Sequence, residues 1–233
     1  ILDQESLGSS PRGAIAPPMI RRRGCFQGFL HGITQMLPST REKSVLVGLF
    51  ALSCLAYFTI SQLVQAPTTV VMPRWVPFLP ILAIPYLLQV VGSYILVMAV
   101  RDRARRHASV KAYFASFAAT CLVWYMHPTV MNRPAAPPGW WNWPFSVMDG
   151  LDLPVNVVPA GHILMPVIIC WAFALDRPRW LWWLVPAELL GAVAIVTTWQ
   201  HRPVDVVIGV ALAVAAGAVF GVGRRRTAES PAA

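Results

Sequence analysis

Charge is what this chain has least of. Only 12% of its 233 residues are Asp, Glu, Lys or Arg, while 56% are hydrophobic. That is about half the charge usual in soluble domains, and it is clustered, so long runs carry none. A soluble globule is excluded, and the apolar content excludes disorder over most of the length. Acids are scarcer still, 10 against 19 Lys plus Arg. In a soluble protein the resulting excess of +9 would suggest nucleic acid. Here the basic residues flank apolar runs, where they act as membrane-orientation signals, so no nucleic-acid partner is expected. Four cysteines do not make a disulfide framework. Cys54, Cys121 and Cys170 lie in apolar runs and Cys25 follows an arginine cluster, so all four are expected to be unpaired. No His-x-x-x-His pair occurs, so neither a metal nor a cofactor is expected. What remains is an all-α, polytopic membrane protein with a single helical bundle.

Residues 1–20 are rich in Ser, Gly and Pro and read as a disordered tail. In the segment 21–43, Arg21, Arg22 and Arg23 precede Phe26, Phe29, Leu30, Ile33, Met36 and Leu37 at helical spacing. This predicts a basic amphipathic helix on an anionic leaflet. Six spans then fill a membrane domain over 44–222: Ser44–Val64, Phe78–Val100, Ser109–Met126, Pro159–Leu175, Trp180–Trp199 and Pro203–Val222. The first has 21 residues without a charge, about 31 Å as a helix and enough to cross a hydrocarbon core. Pro80 and Pro85 are expected to kink the second. A basic tail, 223–233, follows.

Basic residues in alternate loops set the orientation. Sixteen fall on the side of the two termini, and only Arg74, Arg133 and Arg202 fall on the other. Both termini are therefore expected in the cytoplasm. Short loops favour a bacterial inner membrane. Tryptophans 140, 141 and 143, and 180, 182 and 183, are expected to form aromatic belts at opposite interfaces.

Several polar residues do not fit a purely structural bundle. Arg133, Asp149, Asp152 and Asn156 lie in the long connection between the third and fourth spans. His162 opens the fourth span, His201 closes the fifth and Asp205 stands in the first turn of the sixth. All fall on the outer side, where ionisable groups near spans usually face a working cavity. Gly209, Ala213, Gly217 and Gly221 recur every four residues, a stripe that admits close helix packing and places Asp205 on the inward face. His201 precedes Asp205 by four residues, close enough for the carboxylate to hold one imidazole nitrogen and leave the other for chemistry. Glu188 lies mid-span beside Pro186. It is either protonated and hydrogen-bonded or lines a polar cavity.

Three of these elements resemble a known family. Pro159-Ala160-Gly161-His162 is similar to the Pro-Ser-Gly-His element of the type 2 phosphatidic acid phosphatases, which share a fold with vanadium haloperoxidases. His201 through Asp205-Val206, with Gly209 beyond, resembles the family's last element, His-x-x-x-Asp-Val-x-x-Gly. Asn132-Arg133-Pro134 resembles the end of its first. The Asp152-Leu153-Pro154-Val155-Asn156 lead-in, with Gln200 before His201, is closest to the branch of inositol phosphorylceramide synthases.

The resemblance implies an enzyme that removes or transfers a phosphoryl group on a lipid phosphate or phospholipid at the periplasmic or luminal face. His201 would attack phosphorus and form a phosphohistidine, with Asp205 orienting it. His162 would protonate the leaving alkoxide and then activate water or an alcohol. Arg133 would grip the phosphoryl oxygens. The residue types suit this: covalent transfer divides one displacement into two, neutral-range imidazoles trade protons, and guanidinium binds phosphate as a fork. Three departures accompany the match. Met126, Ala160 and Ile195 stand where the phosphatase pattern has Lys, Ser and Arg. Arg202, Asn156 and backbone N–H groups at Gly161, where the fourth helix begins, are the expected substitutes. The alternative is a catalytically degenerate relative that serves as a lipid-binding or assembly subunit.

Overall fold

The computed structural model describes residues 38–63, 67–135, 138–139, 142–151 and 153–224. The expected disordered tail, the arginine-led segment up to residue 37, Cys25, Trp140, Trp141, Asp152, Arg225 and Arg226 lie outside the described residues. The described part belongs to one compact unit, Met36–Ala233.

The chain is mostly helical. Its elements are α1 (Thr40–Leu63), α2 (Ala83–Leu96), α3 (Arg103–Met126), α4 (Trp143–Leu151), α5 (Leu164–Asp176), α6 (Leu181–Thr197) and α7 (Pro203–Val219). Short 3-10 turns lead into α2, α5 and α6 at Pro80–Leu82, Gly161–Ile163 and Pro178–Trp180. Three helical stretches, Thr40–Leu63, Pro80–Ala99 and Pro178–Thr197, are long and apolar enough to cross a membrane. Gly161–Asp176 and Pro203–Val219 are apolar but shorter. The helices turn apolar side chains outward as well as inward: Leu55, Leu88, Leu189, Val193 and Val207 are all exposed. A surface of that kind suits lipid rather than water. Pro80 and Pro85 fall in the opening 3-10 turn and the first turn of α2, where no intrahelical N–H is lost, instead of kinking the span.

α3 packs against α1, α5 and α7, while α2 packs on α6. Leu164, Ile168, Ile169, Ala172 and Phe173 of α5 are fully buried in this core with Tyr113 and Trp124 of α3. The small-residue stripe of α7 does face inward: Gly209, Ala213 and Gly217 are buried. Gly217 lies against the Trp171 ring, so close that a Cβ there would stand 2.6 Å from it.

The basic flanks gather at one end of the bundle. Arg106 is buried; its Nε donates to Glu42 Oε1 at 2.9 Å and its Nη1 to the Val100 carbonyl at 2.5 Å. Arg105 reaches both Asp176 and the Val222 carbonyl, tying α3 to the ends of α5 and α7. Trp124 lies 18 residues further along α3, about 27 Å away at 1.5 Å per residue. There the polar residues of the connection between α3 and α5 collect.

That connection is more ordered than its Pro- and Trp-rich sequence predicts, and it departs from the all-α expectation. Its strand β2 (Thr129–Met131) pairs in parallel with β1 (Thr68–Val70) from the loop between α1 and α2, with Thr68 opposite Thr129, and Val130 bridges Val155. The helix α4 lies in the same connection. Runs of three residues are too short for an alternation pattern to show.

Candidate active site

β2 is the base on which the site is built. Met131 N–H donates to the Pro154 carbonyl, and Asn156 N–H donates to the Thr129 carbonyl at 2.8 Å. The Thr129 hydroxyl accepts from Val157 N–H at 3.0 Å and Val158 N–H at 3.2 Å. Four bonds thus fix residues 154–158 and aim the Val157 carbonyl at His201, whose Nδ1 lies 2.5 Å from it. A carbonyl can only accept, so Nδ1 carries the proton and Nε2 the lone pair.

His201 is delivered by the end of α6. Trp199 N–H bonds the Val196 carbonyl and Gln200 N–H bonds the Ile195 carbonyl, the paired bonds of a Schellman ending. The left-handed position is Trp199, at φ +57°, where glycine is usual. A bulky residue there costs about 1–2 kcal/mol, which the surrounding packing must offset. The turn directs both Gln200 and His201 inward, 1% and 4% exposed.

His162 arrives from the start of α5. Its ring faces that of His201 with centroids 5.4 Å apart and planes at 62°. The Tyr86 hydroxyl of α2 lies 2.9 Å from His162 Nε2 and fixes the ring's orientation. The turn carrying His162 is stitched to α7: Ala160 N–H donates to the Asp205 carbonyl, and Gly209 leaves room for the Ala160 carbonyl beside it. The two histidines, 39 residues apart, share a small, tightly packed polar pocket with Tyr57, Trp124, Arg133, Val155, Asn156 and Gln200.

Arg133 lies where the sequence places it. Its guanidinium is largely buried, 3.5 Å from Asp149 Oδ1 and 3.4 Å from the Leu153 carbonyl.

Four expectations need correction. The Asp205 carboxylate is taken up by Arg202 and does not hold His201: it accepts from Arg202 N–H at 2.8 Å, Nε at 3.0 Å and Nη2 at 2.8 Å. Asp205 is the third residue of α7, so its side chain folds back onto the helix start as a capping box does. By the same contact, Arg202 is committed to Asp205 and does not line the pocket. Asn156 does line it, at φ +61°, a conformation Asn tolerates. Its amide N–H, however, goes to Ser61 Oγ at 2.9 Å and not toward the pocket. Gly161 lines the neighbouring apolar groove against the Trp124 ring, which a Cβ would approach to 2.9 Å.

Three contributors were given no role by the sequence reading. Val157 acts through a carbonyl, which every residue has. Tyr86 is one tyrosine in an apolar span. Gln200 is 1% exposed, and neither end of its amide has a hydrogen-bond partner although it lines the pocket. Buried polar groups left in that state are uncommon and point to a ligand's place. Its signal was the adjacency to His201.

The polar pocket abuts an apolar groove of about 830 Å³ between α1, α2 and α3, and Tyr57, Trp124 and His162 line both. From Tyr86 to Tyr94 the groove follows α2 for about 12 Å. Cys54, exposed and unpaired, lines it.

Replacing Asp205 by Asn is expected to lower stability by about 1–2 kcal/mol through the weakened cap, read as a shift of thermal unfolding in detergent. The His201 Nδ1–H resonance should persist in the NMR spectrum, because Val157 and not Asp205 holds Nδ1. Its loss would restore the carboxylate–imidazole pairing.

No protein-family model, no curated protein and no solved structure matches this chain.

Proposed function

We propose that this chain is an integral membrane enzyme that removes or transfers the phosphoryl group of a lipid phosphate through a phosphohistidine. In this reading α1, α2, α3, α5, α6 and α7 are the six spans, both termini are cytoplasmic, and the histidines face the periplasm or exterior. The observation that carries the proposal is the meeting of His162 and His201 at 5.4 Å in a polar pocket that opens beside an apolar groove. The first suits phosphorus chemistry and the second suits a lipid tail.

His201 Nε2 attacks phosphorus, forming P–N as the P–O bond to the lipid breaks. His162 gives its proton to the departing alkoxide. In the second step His162 takes a proton from water or an alcohol, whose oxygen attacks phosphorus and releases His201. Arg133 and the Gln200 amide supply positive charge and an N–H to the phosphoryl oxygens. The Val157 carbonyl stabilises the charged ring less than a carboxylate would, so formation of the phosphoenzyme is expected to be slow.

Mixed micelles of detergent and phosphate-labelled phosphatidic acid provide the test. Rapid quenching at alkaline pH should trap acid-labile label on His201. Release of inorganic phosphate identifies water as the acceptor, and labelled lipid product identifies an alcohol. Absence of label on His201 together with absence of turnover would reject the proposal.

One observation favours a second reading, a degenerate relative that binds lipid without catalysis. Arg202 engages the carboxylate that a phosphohistidine enzyme of the resembled family uses to hold its nucleophile. Retention of phosphatidic acid by the purified protein, with no label and no turnover, selects it.

A further inference from the structure

On the face of α2 away from the histidines lies a second groove, of about 520 Å³, between α2 and α6. Its lining is Leu88, Gly92, Leu96, Leu184, Ala187 and similar apolar residues, interrupted by Gln89, Ser93 and Glu188. These three are 6%, 1% and 9% exposed. Ser93 Oγ lies 3.2 Å from Glu188 Oε1, and the Gln89 amide nitrogen donates to the Glu188 backbone carbonyl at 3.0 Å. The Gln89 amide is pressed against Gly191, where even a Cβ would stand 2.3 Å from it. The bond to the Glu188 carbonyl uses one of the two Gln89 N–H groups. Gln89 Oε1 and Glu188 Oε2 remain buried with no hydrogen-bond partner.

We propose that Gln89, Ser93 and Glu188 form a binding site for a monovalent alkali cation within the bilayer. Carboxylate, carboxamide and hydroxyl oxygens are hard donors, which suit an alkali ion and not a soft metal. A single carboxylate neutralises a single positive charge, whereas a divalent ion would leave net charge in hydrocarbon at a cost of several kcal/mol. Two buried acceptors, Gln89 Oε1 and Glu188 Oε2, share the groove without a hydrogen-bond partner, and a cation held between the oxygens satisfies both. Cys170 of α5 is the titratable side chain that senses Glu188 from the adjoining helix. It is a thiol and supplies no compensating positive charge.

Dicyclohexylcarbodiimide tests this on the intact protein, because it enters from the lipid and reacts with a carboxyl only in the protonated, cation-free form. The protein is reconstituted in liposomes at one pH near 6, and labelling of Glu188 is followed by peptide mass. Labelling should be at least about fivefold slower in 100 mM NaCl or KCl than in choline chloride, and Ser93→Ala should lose that protection while still being labelled. Glu188→Gln serves as the blank. Equal rates in all three salts would overturn the proposal, leaving a carboxyl that binds only a proton and shares it with Gln89. No labelling of Glu188 in any salt would overturn it too, since the groove would then not reach the carboxyl. Neither result bears on the histidine chemistry, which lies on the other face of α2.

Discussion

Replacing His201 by alanine is expected to lower turnover of lipid phosphates by at least about 10⁴-fold at unchanged folded amount. In the proposed mechanism the variant loses the nucleophile itself, so the covalent route closes and only unassisted hydrolysis in a bound state is left. His162→Ala should behave differently. General acid–base groups contribute about 10²–10⁴-fold, and an ester with a good leaving group needs no proton on departure. That variant should therefore still become labelled on His201 with an aryl phosphate ester and then release the label slowly. Single-turnover quenching with the aryl ester and with phosphatidic acid separates the two roles. Equal behaviour of the two variants on both substrates would remove the division of labour between the rings.

Gly209→Val should damage both stability and activity, although Gly209 touches no substrate in the proposed mechanism. A Cβ at this position would lie 2.5 Å from the Ala160 carbonyl oxygen and 2.5 Å from Ile163 Cγ2. The first neighbour is backbone and cannot swing aside, so the turn carrying His162 must move. Overpacking of this kind costs about 1–3 kcal/mol, and a displacement of about 1 Å in a reacting group costs about 10²-fold in rate. Gly209→Ala should show the same direction with a smaller loss. Thermal unfolding together with turnover on phosphatidic acid checks both. A valine variant with parental turnover would mean that the contact between α7 and the Pro159–His162 turn does not set the distance between the rings.

The helices were legible because each combines an apolar run with a clear boundary. Pro203 and Asp205 mark the start of α7, and Asp102 caps α3 by accepting from the N–H groups of Ala104 and Arg105. The connection between α3 and α5 was not legible, since its strand β2 is three residues long and owes its existence to β1, 61 residues earlier. At the site, sequence order and topology brought His162, His201 and Arg133 to one pocket. The partner of His201 was misread because a carboxylate four residues on seemed the natural acceptor. Arg202 stands nearer to Asp205 in the helix-start geometry and takes both its oxygens. A backbone carbonyl such as that of Val157 leaves no mark in a sequence, so its role emerges only once Thr129 is seen to fix the strand beside it.

α2 works as a shared shaft between two chambers. Tyr86 extends from one flank to the imidazole of His162, while Gln89 and Ser93, one and two turns along, extend from the other to Glu188. A rotation of α2 about its axis would move both sets of contacts together, because Tyr86, Gln89 and Ser93 ride on one continuous helix.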